Sequence, residues 1–303
     1  EPNTDVTAHH TNLAAALQMR LETVVLNQLK RARKEFSINR LAMAGGVALN
    51  CSMNGKIEAS RLFEEIFVQP GSGDDGTAIG GCYLAHKSMY GDVRPRRMNN
   101  YYKGYRATAQ DIENAANSSK LSYSKPDDLY GATASRLAAG KIIAWYQGAA
   151  EFGPRALGNR SILAKPFPES MKDYINERVK FREYFRPFAG ALLEEFRLDY
   201  CDISQASPHM LIACKIHEDK QEKIAAVVHI DGTCRIQTVS EDDNPRFRKL
   251  IEAFYGLTNV PVILNTSFNV KGQPIVNTPE QAIETFKTTK LDCLVLGDLL
   301  FEK

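Results

Sequence analysis

The sequence lacks several features that would announce a function class. None of its six cysteines (Cys51, Cys82, Cys201, Cys214, Cys234 and Cys293) forms a CxxC pair, so the closely paired ligands of structural zinc are absent. A disulfide framework belongs to much smaller chains, and buried thiols in a cytoplasmic protein are the expectation. No apolar run approaches the ~20 residues that cross a bilayer, which argues against a membrane partner. Excess charge of one sign is missing too. With 38 basic and 36 acidic residues the formal charge is +2, and no global field draws the chain to nucleic acid. His9, His10, His86, His209 and His217 show no metal-ligand spacing. The chain opens Glu1-Pro2-Asn3 without Met or a signal segment, and reads as a fragment or a processed start.

What is present suits a folded α/β protein. The 303 residues are 44% hydrophobic and 24% charged, which suggests two domains at ~100–200 residues each. Residues 11–35 carry Leu13, Leu17, Leu21 and Val24 at helical spacing. Residues 40–44 read as a buried strand meeting Gly45-Gly46, and a helix follows Asn50 over about 53–62. Ile66-Phe67-Val68 is a second strand, stopped by Pro70-Gly71, and 77–90 suits a small-residue helix packed close to its neighbours. Composition changes over 91–106, which places the domain boundary near residue 100. Beyond it, Thr108 opens a helix by a capping box. Ile142–Tyr146 reads as a strand, and Asn244-Pro245 starts a helix that Gly256 ends. Val260–Leu264 is a strand whose Pro261 suggests an edge or a strand start. Thr278-Pro279 starts a last helix, and Cys293–Leu296 is a last strand.

Four constellations carry chemistry. Gly45 and Gly46 between strand and helix let the backbone approach a phosphate, with Asn50 available to a ribose or base edge. A plain tight turn explains the same residues. Asp74 and Asp75, flanked by Gly73 and Gly76, can bind a cation or form an exposed turn. The densest signal runs from Arg155 to Arg186, where eight basic residues meet four acids, a local balance of +4. Arg155, Arg160, Lys180 and Arg182 sit among Phe, Leu, Gly and Pro rather than on a solvated helix face. Partly buried arginines then require an anion, because an unpaired buried charge is costly, and a guanidinium fork matches phosphate. Structural pairing with Glu151, Glu177 and Glu183 is the competing reading. Finally, Asn265-Thr266-Ser267-Phe268-Asn269 follows a strand, where ligands gather in α/β sheets. Arg235 falls on a turn after an apolar strand, and His229 reads as a hydrogen-bonded structural residue.

Read together, these segments resemble the O-carbamoyltransferase family of the NodU/CmcH type over almost the whole chain. Residues 1–99 look like the C-terminal part of a Kae-type, actin-like (ASKHA) ATPase lobe. Residues 100–303 look like a YrdC-like α/β domain with a twisted mixed sheet. Trp145–Ile162, Lys180–Phe188, His229–Val239 and Asn265–Val276 carry that likeness. The resemblance implies a carbamoyltransferase that makes carbamoyl-adenylate from carbamoyl phosphate and ATP, with magnesium. The carbamoyl group then passes to the hydroxyl of a small-molecule acceptor. Lys180-Phe-Arg182 and Ser267-Phe-Asn269 match the Lys-x-Arg and Ser-x-Asn set around the nucleotide. Lys180, Arg182 and Arg155 take the catalytic roles, and Arg160, Arg235, Asn265 and Thr266 join the nucleotide and carbamoyl phosphate site. Asn50, with Gly45 and Gly46, matches a nucleotide loop, and Asp74 matches a ligand of the family's iron.

The likeness has gaps. The family's HxxxH iron ligands do not occur here, and about 95 residues are few for a two-lobed ATPase. The chain therefore reads as the C-terminal half of a longer enzyme, able to activate but not to transfer, and not retaining iron. Gln273 stands where the family pattern has Glu. Rival readings are a threonylcarbamoyl-adenylate-type enzyme, a hydrogenase-maturation carbamoyl enzyme and an RNA- or nucleotide-binding module. The second of these has the opposite domain order and zinc-finger cysteines, and the third is disfavoured by near-neutral charge. Homodimer formation stays open.

Overall fold

The computed structural model describes residues 6–92, 98 and 100–303. Val93–Arg97 and Asn99, which belong to the segment of changed composition, lie outside the described residues. The chain starts with helix α1 (Ala8–Phe36), strand β1 (Arg40–Met43), helix α2 (Cys51–Ala59), strand β2 (Glu65–Val68) and helix α3 (Thr77–Tyr90). β1 and β2 pair in parallel. Between β1 and α2, Gly45 takes a left-handed φ of 96° that favours glycine, and Asn50 caps α2 by accepting from the Met53 amide.

A ten-stranded mixed sheet follows. Its strands in chain order are β3 (Tyr123–Ser124), β4 (Ile143–Tyr146), β5 (Arg160–Ala164), β6 (Ala189–Leu193), β7 (Cys201–Asp202), β8 (Ala213–Ile216), β9 (Thr233–Val239), β10 (Val262–Ser267), β11 (Cys293–Leu296) and β12 (Leu299–Glu302). In space the order is β3-β12-β11-β4-β5-β10-β6-β9-β8-β7. β11 pairs with β4, and β6 with β9, in parallel, and the other neighbours are antiparallel. The residues of β4, β5, β6 and β11 are all buried, so these strands are near-continuous small or apolar runs. Helix Pro245–Thr258 packs on β6 and β10, and helix Pro279–Thr288 on β4 and β11. Trp145 anchors the centre, its indole N–H donating to the Gly158 carbonyl at 2.9 Å.

Close backbone approach joins the first segment to the sheet. A Cβ on Gly55 would overlap the Ala213 carbonyl, and one on Gly71 would lie 2.6 Å from the Phe152 ring. Asn54 Nδ2 donates to Ala48 O and Leu211 O at 2.7 and 2.8 Å. Glu58 accepts from the Ser204 amide at 2.7 Å. The Gln205 amide exchanges hydrogen bonds with both backbone groups of Ile66. Leu211 closes the small core of Ala48, Met53, Ile57, Ile66 and Val68.

Several sequence expectations need correction. Gly256 lies inside helix Pro245–Thr258, and Asn259 in a left-handed conformation ends it. β10 is central between β5 and β6, and Pro261 only precedes it. Arg235 sits on β9, while the turn comes before that strand at residues 229–232. β5 and β6 were hidden because Arg160 and the small residues Ala189-Gly190-Ala191 blur their alternation. α3 forms as expected, yet none of its residues is buried, and Leu84, Met89 and Tyr90 are exposed.

Three glycine variants test this packing. Gly256→Ala has open space at Cβ and raises stability by about 0.5–1 kcal/mol. Gly55→Ala and Gly158→Ala each lower it by about 1–3 kcal/mol, because a Cβ would strike the Ala213 backbone or the Phe247 ring. Chemical denaturation reads the order, and a stabilised Gly158→Ala would contradict the close contact.

Candidate functional site

The site begins with the loop between β4 and β5. Glu151 Oε1 accepts from the backbone N–H groups of Leu157, Asn159 and Arg160 at 2.7, 2.8 and 3.1 Å. The Leu157 carbonyl accepts from Tyr102 Oη at 2.9 Å and Gln237 Nε2 at 2.8 Å. Gln237 Oε1 in turn accepts from Asn265 Nδ2 at 2.9 Å. The backbone around Arg155 is therefore clamped from three elements. Glu151 acts as a loop anchor and not as the arginine counter-ion that the sequence allows.

Lys180 and Arg182 arrive by a distorted helix end. Helix Ser170–Ile175 passes into a π-helical turn, Asn176–Lys180, a distortion frequent at functional sites. Phe181 then takes φ 49°, uncommon for a residue with a bulky side chain. Lys180 is 4% exposed. The three N–H groups of its Nζ are shared among four oxygens, Ser267 O (2.8 Å), Ser267 Oγ (3.2 Å), Asn269 O (2.9 Å) and Asn269 Oδ1 (2.7 Å). The structure thus brings the Lys-x-Arg and Ser-x-Asn segments together across 87 residues. Arg182 Nε donates to Asn176 Oδ1 at 2.7 Å, and its guanidinium lies over the Phe188 ring.

Arg155 and Arg235 differ from every cation described so far. No hydrogen bond or ion pair holds either side chain among the described residues, and the Nε of each is buried without a partner. Burial, then the field of Arg235, pulls Arg155 down to about 10. Burial, then Arg186 and Arg235, does the same to Arg182. Lys180 is pushed to about 7 by burial and by Arg182, although the four oxygens around Nζ suit an ammonium. None of Arg155, Lys180, Arg182 and Arg235 forms an ion pair among the described residues, whereas Arg178 and Arg186 pair with Glu177 and Glu183. Such a desolvated cationic pocket can bind a polyanion and neutralise charge that develops on it.

Other expected site residues have different work. Arg160 is fully buried and donates to the carbonyls of Gln147, Asn159, Tyr105 and Gly148 at 2.6–3.2 Å. It also stacks on Tyr146, 3.6 Å from the ring centroid. Carbonyl oxygens satisfy both terminal nitrogens of this guanidinium, and only its Nε is left without a partner. Asn265, 1% exposed, props Gln237 beneath the loop. Alternation along β10 puts Thr266 on the face opposite Asn265 and Ser267. Asn50 uses its side chain to cap α2 and to exchange hydrogen bonds with Gln18 at 2.8 and 3.1 Å, which leaves little for a nucleotide. Gly45 and Gly46 face open space. Asp74 is exposed at the turn before α3, and no group of three or more His, Cys, Asp or Glu stands ready for a metal among the described residues. Asn176 and Gln237 escaped sequence reasoning: Gln237 meets Leu157 across 80 residues, and Asn176 reaches Arg182 only because the π-helical turn folds the chain back, while Glu151 reads in sequence as a counter-ion and not as an acceptor of backbone N–H groups.

A cavity of about 1010 Å³ lies elsewhere, between β2 and residues 205–212. Its walls include Glu194, Asp242 and Asp243 and none of the four free cations. Its lining is net acidic, Arg40 being outweighed by Glu65, Glu194, Asp242 and Asp243, so the cationic cluster and not this cavity is the candidate anion site.

Comparison with known proteins places the chain among relatives of one family. Residues 134–303 match the model of the carbamoyltransferase C-terminus, and residues 2–83 that of the carbamoyltransferase N-terminus. Nodulation protein NolO of Bradyrhizobium diazoefficiens is 42% identical, covering 98% of this chain and 55% of that protein. Nodulation protein NolNO of Sinorhizobium fredii is also 42% identical, covering 98% and 45%. The 3'-hydroxymethylcephem-O-carbamoyltransferase of Streptomyces clavuligerus is 33% identical, covering 99% and 56%. The chain spans about half the length of these relatives.

Arg160→Met separates the structural arginine from the free ones. It should lower stability by about 1–3 kcal/mol by stranding buried carbonyls, while any anion affinity of the folded protein stays as it was. Melting curves and calorimetry check both, and a selective loss of affinity would return Arg160 to the site.

Proposed function

The chain belongs to the carbamoyltransferase family, and we propose that the domain carrying the cationic pocket activates a carbamoyl group as carbamoyl-adenylate. The observation that supports this reading is the pair Arg155 and Arg235, two partly buried guanidinium groups whose Nε atoms lie buried without an acceptor, with the field of Arg235 opposing the charge on Arg155. Leaving such groups unpaired is costly, and a ligand rich in anionic oxygens removes the cost. Carbamoyl phosphate and ATP together supply many such oxygens, which would repel one another without cations between them.

The chemistry balances without a protein nucleophile. Carbamoyl phosphate loses its phosphoryl group to water, giving carbamate and phosphate. A carbamate oxygen then attacks the α-phosphorus of ATP, the bond to the β-phosphate oxygen breaks, and pyrophosphate leaves with the electron pair. In the later transfer an acceptor hydroxyl attacks the carbamoyl carbon, AMP departs and the hydroxyl proton is released. Arg155, Lys180, Arg182 and Arg235 would position the anions and neutralise charge developing at phosphorus. Ser267 and Asn269 would hold Lys180 in place, as their hydrogen bonds do in the structure. Magnesium would arrive on the ATP phosphates.

The acceptor is a hydroxylated small molecule in this reading. Iron does not fit the described donor set, since Asp74 has only its neighbour Asp75 and no third donor. No step is routed through it. No helix among the described residues is long and apolar enough to cross a membrane.

Calorimetry with ATP tests the binding half. Lys180→Ala should weaken binding by about 1.5–3 kcal/mol, the range of a charge-assisted hydrogen bond, and unchanged affinity would remove Lys180 from the site. Carbamoyl phosphate-dependent exchange of labelled pyrophosphate into ATP tests the chemistry. Binding without exchange would reduce the pocket to a binding site.

A further inference from the structure

His229 stands beside Arg235: its ring bonds Thr233, which shares a face of β9 with Arg235, and it is fixed by a relay through its own turn. Its backbone N–H donates to Thr233 O at 2.7 Å, and Gly232 N–H donates to His229 O at 2.8 Å. Its Nδ1 lies 3.1 Å from Thr233 Oγ1, and the Thr233 hydroxyl donates to Asp231 Oδ1 at 2.6 Å. Burial pushes the Asp231 carboxyl up, but the hydroxyl and amide of Thr233 prevail and hold it below its ordinary range. Asp231 is therefore ionised at neutral pH and only accepts. The single Thr233 hydroxyl proton points to it, so Thr233 Oγ1 accepts from His229 Nδ1–H. In the neutral ring the remaining nitrogen, Nε2, carries a lone pair. It is buried and has no partner.

We propose that His229 Nε2 contacts the anion held by Arg235 and takes up one proton from solvent when that anion binds. This rests on the anion-pocket reading above and adds a residue and a proton to it. In the empty pocket several groups act on the ring. Burial disfavours the charged form, Asp231 favours it, Arg235 opposes it, the Phe188 carbonyl favours it and Lys172 opposes it, with a net downward shift. The imidazole is then neutral at pH 7. An anion beside Arg235 cancels the opposing field and adds negative charge of its own. Asp231 and the Phe188 carbonyl already favour the imidazolium, so Nε2 gains a proton and donates a charge-assisted hydrogen bond to the anion. The sign follows by linkage. A bound state that holds one more proton than the free state binds more tightly as pH falls towards the range in which free His229 titrates.

The test uses sulfate, a dianion that does not titrate near neutrality. The six histidines give separate imidazole carbon-bound proton resonances, followed by NMR against pH with and without sodium sulfate. His229→Gln identifies the His229 signal by its loss. Thr233→Val identifies it without removing the ring, should the first variant fold poorly. The expected result is an upward move of the His229 midpoint on adding sulfate, with His9, His10, His86 and His217 unmoved. His229→Gln should also bind sulfate about tenfold more weakly. An unmoved midpoint, while sulfate binding is still lost in Arg235→Ala, would remove His229 from the pocket and leave the pocket reading intact. Sulfate binding that ignores Arg235→Ala, or no binding at all, would overturn both.

Discussion

The Lys180 ammonium and the four oxygens around it form the joint on which the pocket depends. Nζ reaches the last residue of β10 and the second residue beyond it, while its own backbone closes a π-helical turn. That one group sets the spacing between two segments far apart in sequence. It also fixes where Phe181 turns and, through Phe181, where Arg182 starts. Every acceptor is a neutral oxygen, so the lysine is oriented without being neutralised. A carboxylate in the same position would orient it equally well and would cancel the field that an anion needs.

The same logic runs through the rest of the site. Glu151 is the acid nearest to Arg155 in sequence, yet its carboxylate faces three backbone amides. Asn176 holds Arg182 with an amide oxygen. Arg160, buried just beyond the loop, gives both terminal nitrogens to carbonyls. Orientation is supplied by neutral or backbone partners, and the positive charge stays available. Arg155 and Arg235 are the extreme case, with no partner at all among the described residues. The repulsion between them destabilises the empty protein, and a bound anion that relieves it stabilises the folded state in proportion to its affinity.

Much of this was legible before the structure. The helices and strands of the first segment follow from apolar spacing and glycine turns. The cation-rich stretch stands out because Arg and Lys sit among Phe and Pro. The meeting of Lys180 with Ser267 and Asn269 was readable only through the family resemblance, since no local pattern links residues 87 positions apart. The partition among the arginines was not readable. Arg155 and Arg160 lie five positions apart in the same kind of context, and only tertiary placement gives one four carbonyls and the other none. Asn265, Thr266 and Ser267 show the same limit. The end of a strand was correctly suspected, but the alternation that separates Thr266 from its neighbours requires the strand's bounds.

His209 provides a contrast that sharpens the argument about charge. It lines the large cavity and stacks edge-on against Tyr101 at 5.0 Å, and burial pulls it down to about 4. Burial is its one resolved cause, and no charged neighbour acts on it. His229 is also buried and also shifted downward, but Asp231, Arg235 and Lys172 all act on it. A ring shifted by burial alone carries no opposing charges for a ligand to unbalance. A ring balanced between one carboxylate and two cations responds when a ligand cancels one side. Balance between opposing fields, more than depth of burial, separates a histidine that reports on its pocket from one that only fills space.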